Sequence, residues 1–200
     1  MRRMLQGCSV PDIRLETERL VLRNWHPGDI ESFGAVTNNP AVMRWLGGTM
    51  DKAALKATEQ RLLACHERHG HCFWLAERKQ DGGHLAGEVL GFCGLKRADA
   101  AGCPFSGQFE IGWRLREEAW GKGYAKEAAT ASLDAAFGRF DAQEVFAITV
   151  IENTASWGLM ERLGMRRCEE LDFIDPRYEP PLDRTITWSI TRGEWAGRQP

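Results

Sequence analysis

The stretch that decides the fold is Gln108-Phe109-Glu110-Ile111-Gly112-Trp113-Arg114-Leu115, continuing as Arg116-Glu117-Glu118-Ala119-Trp120-Gly121-Lys122-Gly123-Tyr124-Ala125. Its first half alternates: Phe109, Ile111, Trp113 and Leu115 point one way, Glu110, Gly112 and Arg114 the other, the period of a strand. Its second half opens a helix that runs to about Phe137. Ala125, Ala128, Ala129, Ser132, Leu133, Ala136 and Phe137 form a narrow inward stripe on that helix. Two glycines one residue apart at the junction let the backbone approach a bulky anion without obstruction by a Cβ. The helix start adds unpaired N–H groups and about half a positive charge. Such a junction suits a phosphate or diphosphate, with Lys122 as a mobile counter-charge, and it equally suits a plain tight turn. Two nucleotide motifs are excluded. The dinucleotide fingerprint needs glycine where Lys126 stands. The P-loop needs glycine at Arg116 and Ser or Thr at Gly123.

Outward from this junction the order is mixed α/β. Strands are predicted over 19–25, 72–79, 88–97, 108–115, 145–151, 165–173 and 184–191, with a hairpin signal at Asp81-Gly82-Gly83 between the second and third. Helices are predicted from Asp29 to Phe33, from Ala41 to Leu46, from Thr49 or Asp51 to His69, from the glycine junction, and after Asn153. Residues 98–107 read as a loop. The prediction is one mixed, mostly antiparallel sheet of about seven strands flanked by about four substantial helices. A single domain spans 1–200, with its core over about 14–192.

Composition narrows the function classes. The chain has 200 residues, 43% hydrophobic and 27% charged, close to the soluble average, and a formal charge of −2. That balance speaks against a basic nucleic-acid surface. The longest apolar run, Cys72 to Ala76, falls far short of the ~20 residues of a membrane span. Met1-Arg2-Arg3-Met4 is followed by no apolar stretch of signal-peptide length, so export is not expected. Six cysteines without a C-x-x-C pair read as buried thiols of a cytoplasmic protein rather than a disulfide framework. His66, His69 and His71 fit a polar helix end better than a metal site, which wants three or four oriented ligands; no metal is expected.

The junction resembles the acyl-CoA signature of the GNAT superfamily of N-acetyltransferases, (Gln/Arg)-x-x-Gly-x-(Gly/Ala). Trp120 stands in the Gln/Arg place, Gly123 is the central glycine and Ala125 the final small residue. Within the superfamily it is similar to the ribosomal-protein-alanine acetyltransferase branch (RimJ/RimL type). Leu15-Glu16-Thr17-Glu18-Arg19-Leu20, Phe109-Glu110-Ile111-Gly112-Trp113, Glu152-Asn153-Thr154-Ala155-Ser156 and Glu161-Arg162-Leu163-Gly164-Met165 carry the same likeness.

The resemblance implies central parallel strands that splay apart, with acetyl-CoA as cosubstrate lying in the gap. The cofactor would touch Ile111, Trp113, Leu115, Trp120, Gly121, Lys122, Gly123, Tyr124, Ala125, Asn153 and Ser156. The acceptor would be an amine, either a protein N-terminus or a small molecule, with no nucleic acid or membrane involved; monomer and homodimer both stay open. An α-amine of pKa about 7.7–8.0 is roughly 10% free at pH 7, whereas a lysine near 10.4 is below about 0.1% free, so a base is useful. Glu110 is the expected base, acting through water, against an ordinary solvent-facing residue in an alternating strand. Asn153 and Ser156 also fit plain helix capping. Relatives often place a tyrosine acid where Met160 stands, which leaves Ser156 or water to protonate the thiolate. The same departure keeps a non-catalytic acyl-CoA-binding module open as the alternative. Loops in the place of Arg177, Tyr178, Pro180 and Pro181 help line acceptor sites in this branch, and a plain surface turn fits those residues equally. Trp45, Trp74 and Trp113 could wall an acceptor pocket, with core packing the commoner fate of such residues.

Overall fold

The computed structural model describes residues 12–198. The N-terminal stretch Met1 to Met4 and Cys8, one of the six cysteines, lie outside them. The strands are β1 (Arg14–Glu16), β2 (Leu20–Arg23), β3 (Phe73–Arg78), β4 (Val89–Arg97), β5 (Phe109–Leu115), β6 (Glu144–Val150), β7 (Arg166–Arg167), β8 (Phe173–Ile174) and β9 (Arg184–Thr191). The helices are α1 (Asp29–Thr37), α2 (Pro40–Met43), α3 (Lys52–His69), α4 (Tyr124–Gly138), α5 (Thr154–Arg162) and α6 (Arg192–Ala196), with short 3₁₀ turns at Glu117–Ala119 and Glu169–Leu171.

One sheet holds these strands in the order β1-β2-β3-β4-β5-β6-β9-β7, with β8 also on β9. Among the described strands only β5 and β6 are parallel neighbours, and α4 supplies the crossover such a pair requires. Their pairing is confined to Phe109↔Val145 and Glu110↔Phe146. Past that point β5 stays on β4 as far as Gly91↔Leu115, and β6 stays on β9 as far as Val150↔Thr185. The sheet therefore parts into two arms, as the resemblance implied.

The sheet has two strands more than expected. The stretch ahead of the predicted first strand folds into β1 and pairs back on β2. The single strand expected over 165–173 breaks into β7, a 3₁₀ turn and β8, because Cys168 N–H donates to Thr187 O while Asp172 pairs with Arg167 and accepts from Thr187 N–H. The Asp81-Gly82-Gly83 signal belongs to a longer loop over 79–88 rather than a two-residue turn; Asp81 there accepts from Gly83 N–H and pairs with Arg78. The α6 helix was not foreseen, although Thr191 and Glu194 form a capping box at its start.

Each helix start uses its own chemistry. Asp51 accepts from Ala54 N–H at 2.8 Å and so caps α3. Gly70 in the left-handed region ends it. On one face of the sheet, α4 and α5 bury Ala128, Ala129, Leu133, Ala136, Leu159, Met160 and Leu163 against Ile111, Leu115, Trp74 and Trp188. The small residues of α4 let it lie close to the strands. On the other face, Phe33 of α1 and Leu62 of α3 pack on Leu75 and Phe92. A third cluster seats the 98–107 loop on Phe146 through Ala98, Cys103 and Phe105. Cys72, Cys93, Cys103 and Cys168 are buried and Cys65 half-buried.

Candidate active site

Where the arms part, the end of β5 meets α4. Gly121 (φ 69°) and Gly123 (φ 81°) both occupy the left-handed region, where a side chain is strained. A Cβ added at Gly121 would have no neighbour within 4 Å, so the space above the backbone is open. The amides of Gly121, Lys122 and Gly123 donate to no described backbone carbonyl, and the first N–H groups of α4 add to them. Lys122 and Lys126 are exposed and form no ion pair among the described residues. This is the arrangement a diphosphate needs: bare amides, a helix N-terminus and two mobile cations.

The junction is tied from below. Arg19 pairs with Glu127 at 2.7 Å, donates to Lys122 O at 3.0 Å and lies over the Tyr124 ring at 4.5 Å. Thr17 Oγ1 also donates to Glu127. Tyr124 is buried. Its hydroxyl donates to His84 O and accepts from Arg78 Nε, each at 3.1 Å. Its side chain is therefore structural, and only its amide is available to a ligand. Trp120 is 48% exposed and donates Nε1–H to Leu115 O at 2.9 Å, closing the last β5 carbonyl. Ile111 and Leu115 turn their side chains into the core and Trp113 packs half-buried against it, so only their backbone lines the gap. A groove of about 550 Å³ starts beside the junction, bounded by Thr17, Arg19, Gly123, Lys126 and Thr130; it runs along α4, outside the parting of the strands.

Glu110 sits at the root of the parting, opposite Lys96 in the β4–β5 ladder. It is only 5% exposed, which corrects the solvent-facing alternative. Lys96 Nζ lies 3.2 Å from Oε2, close enough for an ion pair but outside hydrogen-bond alignment, so Oε2 accepts from no described residue. Burial pushes the Glu110 carboxyl above its ordinary value while the Lys96 charge pulls it back. Lys96 also pairs with Asp99.

From the other arm, Asn153 accepts from Ser156 N–H and donates to Thr149 Oγ1 at 3.0 Å. It thus caps α5 and ties that cap to β6. Ser156 is half-buried and its hydroxyl bonds to no described residue. Met160, in the place of the tyrosine, is 1% exposed and packed in the core.

Lys96 and Arg114 are functional candidates that the sequence did not single out. Arg114 shares the Glu110 face by strand alternation, and that was the available signal. Lys96 is found only through the ladder register. Trp74 is core, whereas Trp45 is half-buried under Arg44. Arg177 is locked to Asp175 at 2.6 Å. His71 is buried among Phe109 and Phe140 with Nδ1 against Leu95 O. Among the described residues no group of three His, Cys, Asp or Glu could hold a metal ion.

Sheet, parting and junction together define the class of acetyltransferases. Residues 19–166 match the acetyltransferase (GNAT) domain, and the chain belongs to the GNAT acetyltransferase family, whose members use acetyl-CoA as cosubstrate. It is similar to the uncharacterized protein YkkB of Bacillus subtilis (strain 168), 31% identical over 153 residues that make up 76% of this chain and 84% of the relative. It is also similar to the uncharacterized N-acetyltransferase p20 of Bacillus licheniformis, 26% identical over 92% of this chain and 98% of that one. The crystal structure of the acetyltransferase from Agrobacterium tumefaciens str. C58 has the same fold, with a TM-score of 0.70 at 24% identity, covering 94% of this chain and 99% of that one. Among the described residues no helix is long and apolar enough to cross a membrane.

Proposed function

We propose that the chain transfers the acetyl group of acetyl-CoA to a primary amine by direct attack on the thioester, without a covalent enzyme intermediate. The observation that carries this reading is the two-pair contact between β5 and β6, which opens a gap beside the bare amides of Gly121 to Gly123. In this reading the amides from Gly121 to Ala125 hold the diphosphate, with Lys122 and Lys126 as counter-charges, and the pantetheine arm runs between the arms past Asn153.

The free amine attacks the thioester carbonyl to give a tetrahedral oxyanion. Backbone N–H groups of β5 freed from the ladder beyond Glu110 are the donors at hand for it; each such donor is typically worth about 3 kcal/mol. The nitrogen loses a proton through water to Glu110. A buried carboxylate with a raised pKa and one attendant cation is better matched to that task than an exposed one. The carbon–sulfur bond then breaks, and the thiolate takes a proton from Ser156 or from water. That last step is the least demanding, because a model thiol has a pKa of about 8.5.

The likeness to the RimJ/RimL-type branch supports a protein N-terminus as acceptor, and a small-molecule amine is the competing class. Release of free thiol from acetyl-CoA, followed over a panel of N-terminal peptides and small amines, tests the reading. Transfer to at least one amine class supports it. CoA binding without turnover on any amine would instead make the chain an acyl-CoA-binding module.

A further inference from the structure

The face of β5 that carries Glu110 also carries Arg114, which the transfer reaction as proposed leaves unused. Arg114 stands opposite Phe92 in the β4–β5 ladder. Its guanidinium carbon lies 5.4 Å from the Phe92 ring and 5.7 Å from that of Phe33 in α1. Nε and Nη1 are shut off from solvent and donate to nothing, and no described carboxylate pairs with the group. Burial lowers its pKa to about 10. The charged and titratable groups that act on it are Arg61 of α3, which repels it, and the Tyr178 phenol. Tyr178 reaches in from the loop before β9 and lies against Gly47, 3.5 Å from where a Cβ would stand. Its hydroxyl bonds to no described residue.

A guanidinium whose inner nitrogens are taken out of water without an acceptor carries a desolvation cost. Aromatic faces recover only part of that cost. A surface arginine would turn to solvent, and a structural one would find a carboxylate or a carbonyl, as Arg19, Arg23, Arg78 and Arg167 do here. Arg114 is half-buried: Nε and Nη1 are sealed with neither acid nor carbonyl beside them, and only its outer Nη2 reaches the surface. Around it stand two aromatic walls, one unbonded phenol and a second cation, with no acid. A guanidinium fork in such a setting fits one chemical class, a carboxylate or phosphate oxyanion.

We propose that Arg114 is a specificity-determining residue that binds the oxyanion of a small acceptor carrying its amine in the same molecule. Arg114 then holds the anionic end of the acceptor, on the same face of β5 as Glu110 and beyond the Phe73 ring that covers Gly112. Only Nη2 reaches the surface there, and so narrow an opening suits a small molecule, the competing acceptor class above, better than a peptide chain. This inference rests on the acetyltransferase reading above.

The test compares matched amines with the full-length protein: β-alanine with β-alaninamide for a carboxylate, and phosphoethanolamine with ethanolamine for a phosphate. A C-terminally amidated peptide with an acidic second residue represents a protein acceptor. In the wild type, one anionic member should exceed its neutral partner in kcat/KM by about 10–100-fold, the size of a charged hydrogen-bonded contact. Arg114→Gln should erase that preference by raising KM for the anionic member far more than for its neutral partner, and Arg114→Lys should restore part of it. Arg114→Met supplies a second, apolar replacement if Arg114→Gln folds poorly. Equal kcat/KM within both pairs, a preference that survives in the folded variants, or a peptide preferred over both anionic amines would each overturn the inference. Calorimetric titration with acetyl-CoA separates the two failures. A wild-type protein that binds no acetyl-CoA sinks the transfer reading itself, whereas one that binds it and shows no anion preference sinks only the role of Arg114.

Discussion

The two faces of β5 are built to different rules. Toward α4, Phe109, Ile111 and Leu115 are buried and Trp113 half-buried, all in one apolar cluster. Toward α1 and α3, the same seven residues present Glu110, Gly112 and Arg114. There a carboxylate oxygen and two guanidinium nitrogens are buried without hydrogen bonds. Between them a Cβ on Gly112 would meet Phe73 Cζ at 2.9 Å, so glycine is what lets the Phe73 ring cover the strand. The first face holds the fold together through area removed from water. The second carries a desolvation cost, with Glu110 beside Lys96 and Arg114 over the Phe33 and Phe92 rings. A strand whose partners leave it on one side can carry both.

If that contrast is right, substitutions on the two faces separate rate from stability. The largest effect expected is on the polar face: Glu110→Gln should lower the rate at neutral pH by about 10²–10⁴ while circular dichroism reports an intact fold. A rate within threefold of wild type would return Glu110 to a structural role. On the packed face, Ile111→Ala should cost about 2–5 kcal/mol of stability, a fall in Tm of very roughly 5–15 °C for a chain of this size. Calorimetry on the purified variant checks this, and the rate per folded molecule should hardly change, because the backbone of Ile111 is kept. A smaller effect sharpens the contrast. Lys96 draws the Glu110 carboxyl down against burial more than Arg177 does, so Lys96→Met removes the larger pull and the pKa rises further. The acid limb of kcat/KM against pH should then move to higher pH, by about one unit. A limb that stays in place or moves to lower pH contradicts the assigned base.

Much of this was legible in the sequence, and the reasons are local. Alternation from Phe109 to Leu115, the small-residue stripe of α4 and the caps at Asp51 and Asn153 depend on neighbours a few residues apart, and the structure keeps them. The break at Cys168 was not legible, because it is made by Thr187 across the sheet. Nor was the burial of Glu110, since alternation marks it only as facing away from α4. What covers that face is Phe73, Phe92 and the 98–107 loop, brought in by β3 and β4. Tyr124 shows the same limit from the other side. Its position in the glycine junction drew it into the cofactor list, but Arg78 and His84, some 40 residues earlier, claim its side chain.

The proposed transfer depends on the bare main chain at Gly121 to Ala125 gripping the diphosphate of coenzyme A. Calorimetric titration of CoA into the wild type and into Gly123→Asp tests it most directly. Aspartate enters the left-handed region more readily than most residues, so α4 should persist at some cost in stability while a carboxylate occupies the place of the anion. The account predicts that Kd rises by about 10–100-fold with the fold unchanged. An unaltered Kd in the folded variant would contradict it.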